Sequence, residues 1–176
     1  MIYYIHGYRS GPDSRKGRLF RKALNACCIR YWYGRPEDIV VSDCLERIYH
    51  AIKGDRDVVL IGSSFGGFLA VSTAFRCSSV KKLFLLNPVV IPLSVDIDGY
   101  CGIPKRILKD MVDRKFFEEK LDAEVFILRG VDDAVVPSSW VLSFAMAQEA
   151  VVYFLHDDHV FTKNLGKLPD IISKFI

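Results

Sequence analysis

The stretch Gly62-Ser63-Ser64-Phe65-Gly66 has the residue types and spacing to do chemistry. A serine with glycine two residues before and two after can occupy a turn too tight for bulkier neighbours. The apolar run Asp57–Ile61 precedes it, and the helix-like run Phe68–Phe75 follows. Strand, Gly-x-Ser-x-Gly, helix is an arrangement that lifts a hydroxyl above a sheet and aims a helix N-terminus at a developing oxyanion. That is equipment for acyl transfer. Ser63 is the rival nucleophile, but Ile61 and Phe65 flank it at the offsets where glycine is needed, so the pattern favours Ser64. A phosphate-cradling loop would need Gly-Lys-Ser or Gly-Lys-Thr, and no lysine occurs between Lys53 and Lys81.

A serine nucleophile needs a base, and the base needs an acid. With this kind of turn the chain order is nucleophile, acid, histidine. The acid belongs after a late strand. Val125–Gly130 is such a run, followed by Val131-Asp132-Asp133-Ala134-Val135-Val136-Pro137. Both aspartates are candidates, and the spacing Gly-x-x-Asp-x-x-Val-Pro favours Asp133. The histidine belongs after the last strand, Val151–Leu155, where His156 and His159 are available. His156 abuts the strand, whereas His159 has enough chain to swing over the sheet edge, so His159 is expected to be the base. Two backbone N–H groups should hold the oxyanion, one from Phe65 and one from the loop after the first strand, at Tyr8. His6 is expected to organise that loop, and His50 to lie on the surface of a helix.

The elements needed to position these groups alternate along the chain. Strands are expected at Ile2–Ile5, Ile29–Tyr33, Val58–Ile61, Lys82–Leu86, Glu124–Leu128 and Val151–Leu155. Helices are expected at Ser14–Cys28, Pro36–Lys53, after the serine turn, at Lys105–Lys120, Ser138–Ala147 and Leu165–Phe175. Such alternation implies an α/β fold, a mostly parallel sheet with helices on both faces, built as one domain over residues 1–176. The segment between Asn87 and Glu124 is expected to be a crossover helix with a small flap, or a partial cover of the acyl site, and is too short for a separate lid.

Composition narrows the function. The chain has 176 residues, 51% of them hydrophobic, enough for a real core. A net charge of +3 is too small to argue for nucleic acid. Six basic residues between Arg9 and Lys22 face Asp13 alone, a pattern of a solvated helix face or of attraction for an anionic partner. Cysteines 27, 28, 44, 77 and 101 have no metal-site or disulfide spacing, and Cys27 and Cys28 are expected to be core thiols. No apolar stretch reaches membrane-spanning length and no signal peptide is recognisable, so no membrane association and a cytoplasmic setting are expected.

With His6-Gly7, the Ser64 turn, the Asp133 loop and His159 in place, the chain resembles the α/β-hydrolase superfamily. More narrowly it resembles small bacterial esterases of the YqiA/YcfP type. The likeness is carried by His6-Gly7-Tyr8-Arg9-Ser10 with Ser14-x-Lys16, by Gly62-Ser63-Ser64-Phe65-Gly66-Gly67, and by Asn87-Pro88. It implies a minimal α/β-hydrolase fold with little or no lid. It also implies cofactor-free hydrolysis of a small-molecule ester or thioester, acyl-CoA among them. Asp157-Asp158 before His159 departs from the family's small residue there, and two such carboxylates are expected to favour positive charge on the ring and activity at higher pH. The competing expectation is a hydrolase fold that binds without catalysing.

Overall fold

The computed structural model describes residues 1–100 and 102–176; Cys101 lies outside the described residues. Six strands form one parallel sheet: β1 (Ile2–Ile5), β2 (Cys27–Ile29), β3 (Val58–Ser63), β4 (Val80–Leu86), β5 (Glu124–Gly130) and β6 (Val151–Leu155). Their spatial order is β2-β1-β3-β4-β5-β6. Each strand is parallel to its neighbours, so helices must carry the chain back between them.

Those helices cover both faces. Alternate residues along each strand divide the core. Tyr3, Ile5, Leu60, Leu83, Leu85, Val125 and Ile127 face one side, against α2 (Val41–Ile52), α3 (Phe65–Ala74), α4 (Lys105–Asp110), α5 (Lys115–Glu118) and α6 (Ser138–Gln148). Tyr4, Ile61, Phe84, Leu86, Phe126 and Leu128 face the other, against α1 (Arg15–Leu24) and α7 (Leu168–Ser173). No helix is long and apolar enough to cross a membrane among the described residues.

Several elements differ from the sequence expectation. Helix α1 stops at Leu24 because Asn25 adopts a left-handed conformation, φ 52°, and its N–H caps the Phe20 carbonyl. The edge strand therefore starts at Cys27, earlier than Ile29–Tyr33 suggested, and Cys27 is exposed and Cys28 half-buried rather than in the core. Tyr31, past the strand, still buries completely and stacks on His6 with ring centroids 4.3 Å apart. The stretch from Pro36 splits into a short 3-10 turn at Pro36–Asp38 and α2, because Ile39 and Val40 are extended and Ile39 packs into the core. The Lys105–Lys120 pattern is two helices, since the Asp113 carboxylate accepts from Lys115 N–H (3.0 Å) and starts a new turn. At the C-terminus a 3-10 turn, Leu165–Lys167, precedes α7, with Pro169 in the first helical turn.

Candidate functional site

Strand β3 ends at Ser63, and Ser64 makes the turn into α3 with φ 55° and ψ −118°. That is a costly backbone for any side-chain-bearing residue. It is enforced by close packing on either side. A Cβ on Gly66 would lie 2.2 Å from the Ile5 carbonyl oxygen, and one on Gly62 would lie 2.5 Å from the Gly66 oxygen. The Ser64 N–H donates to the Leu86 carbonyl (2.9 Å), and the Ser64 carbonyl accepts from Gly67 and Val89. The turn is thus fixed from β1, β4 and its own helix.

The side chains after β5 and β6 converge on this serine. His159 Nε2 lies 3.0 Å from Ser64 Oγ, and His159 Nδ1 lies 2.9 Å from Asp133 Oδ2. With Nδ1–H donating to the carboxylate, Nε2 is left to accept the serine proton. The Asp133 side chain is fully shut from solvent, while the histidine side chain is 18% exposed. The acid is protected and the ring is open to a ligand. Asp132 is exposed, 4.0 Å from Lys163, and His156 and His50 are exposed as well. The structure brings Ser64, His159 and Asp133 together and leaves Asp132 and His156 outside.

Asp133 is held ionised. Burial pushes its carboxyl up, but the His159 hydrogen bond and charge, with N–H donation from Val135 and Val136, outweigh that and hold it below the ordinary carboxylate value. Val135 N–H and Val136 N–H both donate to Oδ1, at 2.7 and 3.1 Å. A further cation, unforeseen from sequence, reaches the same carboxylate. Arg129, on β5 and 1% exposed, donates from Nη1 to Asp133 Oδ2 at 2.5 Å. Its Nη2 donates to the Val136 carbonyl (2.6 Å) and to Ser138 Oγ (3.1 Å). The guanidinium therefore braces both ends of the acid loop.

The histidine loop is held by three carboxamide or carboxylate groups. Asn87, fully buried at φ 45°, accepts from Gly130 N–H (2.9 Å) and donates to the carbonyls of Asp158 (3.2 Å) and His159 (3.0 Å). It joins the end of β4 to both the acid and the histidine loops. Asp157 is fully buried and accepts from the N–H groups of Asp158, Lys163 and Asn164. Burial pushes its carboxyl up, yet these donors bring it below the usual carboxylate range. Asp158 accepts from Val160 N–H and from Thr162 N–H and Oγ1–H. Both carboxylates are engaged by the loop's own backbone and neither hydrogen-bonds the imidazole.

At the end of β1, His6 is buried, with Nδ1 3.0 Å from the Gly7 carbonyl oxygen. Tyr31 Oη–H donates to the His6 carbonyl (2.8 Å). Burial lowers the His6 imidazole to about 4, so it is a neutral brace for the loop. This loop sets Gly7 and Tyr8 against the serine turn. Among the described residues neither Tyr8 N–H nor Phe65 N–H has a hydrogen-bond partner within the chain. A cavity of about 270 Å³ opens here, lined by Gly7, Tyr8, Ser64 and His159 and, farther out, by the start of α1. Among the described residues none between 90 and 120 lines it.

The chain belongs to a family described as an uncharacterised protein family, UPF0227, whose model matches residues 1–175. No curated protein matches it significantly in sequence. Among solved structures it is similar to Est1E from Butyrivibrio proteoclasticus with ferulic acid bound (TM-score 0.80, 19% identity, 99% of this chain and 86% of that one). It is also similar to a putative hydrolase of the alpha/beta superfamily from Xanthomonas campestris (TM-score 0.72, 18% identity, 98% and 94%). A third likeness is to alpha/beta hydrolase domain-containing protein 10 from mouse (TM-score 0.74, 17% identity, 98% and 88%). The fold is that of the α/β hydrolases.

Proposed function

We propose that this member of the family is a serine hydrolase that cleaves carboxylic esters or thioesters through an acyl-enzyme on Ser64. The observation that carries the reading is the unbroken hydrogen-bonded chain from Ser64 Oγ through His159 to a buried, ionised Asp133, built on a serine at positive φ. His159 Nε2 accepts the hydroxyl proton as Oγ attacks the acyl carbonyl. Asp133 fixes the ring tautomer and stabilises the imidazolium. The tetrahedral oxyanion takes hydrogen bonds from the unused N–H groups of Tyr8 and Phe65, and loss of one such donor costs about 3–4 kcal/mol of transition-state stabilisation. His159 then gives its proton to the departing alcohol or thiol. Water, deprotonated by the same ring, releases the acid and restores Ser64.

Turnover of short-chain aryl esters and matched thioesters tests the reading. Ser64→Ala should abolish it, and Asp133→Asn should lower kcat far more than Asp132→Asn. Undiminished turnover in Ser64→Ala would refute the mechanism, and a larger loss at Asp132 would move the acid to that residue.

A further inference from the structure

We propose that the cavity beside Ser64 selects esters or thioesters whose leaving group carries a compact anion, a carboxylate or a phosphate, held by Lys16 and Arg15. This rests on the hydrolase reading of Ser64. The cavity runs from Ser64 and His159 to the first turn of α1, where Ser10, Ser14, Arg15 and Lys16 line it and no carboxylate does. The basic cluster seen in the sequence divides in space. Arg9 pairs with Glu37 (3.4 Å) and Arg21 with Asp13 (3.1 Å). Among the described residues Arg15 and Lys16 have no ion-pair partner. Two cations therefore line the cavity without a direct ion-pair partner.

Lys16 is also fixed in place. Its Nζ donates to the Val160 carbonyl (2.9 Å), next to His159, and lies 5.7 Å from the Phe161 ring centroid. That bond uses one of three ammonium protons. Burial lowers the ammonium to about 8, with Asp158 and Asp157 pulling the other way and Arg15 adding to the drop. It is half-buried and charged at neutral pH, and two of its ammonium protons remain for an anionic ligand. Asp157 and Asp158 give their oxygens to the loop's own donors and do not supply that anion. The anion is assigned to the leaving group because His159 must deliver its proton there, and Lys16 is bonded to the carbonyl of Val160, the residue after His159.

The test compares kcat/KM at pH 7 for phenyl butyrate, 3-(butyryloxy)benzoate and 3-(butyryloxy)phenyl phosphate, which share an acyl group and differ in leaving-group charge. The expected result is a preference of about tenfold or more for a charged ester over the neutral one. The preference should shrink in about 0.5 M salt, collapse towards one in Lys16→Met and return in Lys16→Arg. Whichever charged ester leads distinguishes carboxylate from phosphate. Because each ratio compares substrates within one protein, a variant whose histidine loop is disturbed slows all the esters together and does not mimic the effect. If Lys16→Met fails to fold, Arg15→Gln and the salt series give the same ratios. Equal rates for charged and neutral esters in the unaltered protein, or a preference that survives both substitutions, would overturn the proposal while phenyl butyrate turnover left the hydrolase reading standing. Failure to hydrolyse any of the three esters would refute both.

Discussion

The two sides of the candidate site are built by different physics. On the β1–β3 side, backbone packs directly on backbone. Gly62 and Gly66 let the serine turn lie against the end of β1, and Ser64 is forced to positive φ by steric closeness within a few residues. On the β5–β6 side, buried polar groups bind loops that are far apart in sequence. Arg129 braces the acid loop, Asn87 joins it to the histidine loop, and Asp157 folds the histidine loop on itself. A sterically built turn is either formed or broken. A polar clamp can weaken by degrees, so activity should be lost outright by substitution on the serine side and fall gradually on the histidine side.

The largest expected effect falls where the two sides meet. Ser64→Ala or His159→Ala should reduce kcat by about 10⁴-fold or more with KM little changed, measured by ester turnover. On the serine side, Gly66→Ala drives a Cβ into the Ile5 and His6 carbonyls. It should cost about 1–3 kcal/mol in urea unfolding and abolish activity together with it. If that variant stays active, the turn is more pliable than its packing implies. On the histidine side, Arg129→Met breaks a buried ion pair and should cost about 3–5 kcal/mol. Asn87→Ala should cost less, about 1–3 kcal/mol, and lower kcat rather than raise KM, because the imidazole loses its support while the cavity keeps its lining. A rise in KM at constant kcat would place Asn87 in substrate binding instead.

A pH-dependent effect distinguishes the β1 brace from the Ser64–His159–Asp133 chain. His6 is lowered from the ordinary histidine value of 6.5 to about 4 by burial, so the unfolded chain binds a proton that the folded one refuses between those limits. Its share of stability is complete above pH 6.5 and is lost as the pH falls towards 4, by about 3 kcal/mol in all. Urea midpoints measured across that range should fall, and His6→Gln should flatten the slope. The depressed carboxyls of Asp133 and Asp157 act at lower pH: their stabilisation is present above the unfolded carboxyl range and is lost as pH drops through their folded values. An unchanged slope in His6→Gln would show that other groups govern acid sensitivity.

The same contrast explains what could be read from the chain before its structure. The serine turn is local, and its glycines state their purpose through spacing alone. Asp133 and His159 were legible because the order of nucleophile, acid and histidine supplied a template for loops that are otherwise ordinary. Arg129 and Asn87 were not legible: a basic residue inside an apolar strand acquires its role only when the loop after β5 folds back over it, and an asparagine before a proline only when a carbonyl 71 positions away is brought to it. The parallel sheet followed from alternation, but element ends such as Leu24 and Lys115 were decided by single caps that periodicity does not weigh. The basic run near α1 looked uniform in sequence and divided only once the cavity showed which side chains it received.

The most direct test is intact-mass analysis after treatment with a fluorophosphonate, followed by mapping of the modified residue. A single adduct on Ser64, absent from Ser64→Ala and greatly slowed in His159→Ala, is the predicted result. No adduct on the folded protein, or an adduct at another residue that persists in Ser64→Ala, would contradict the account.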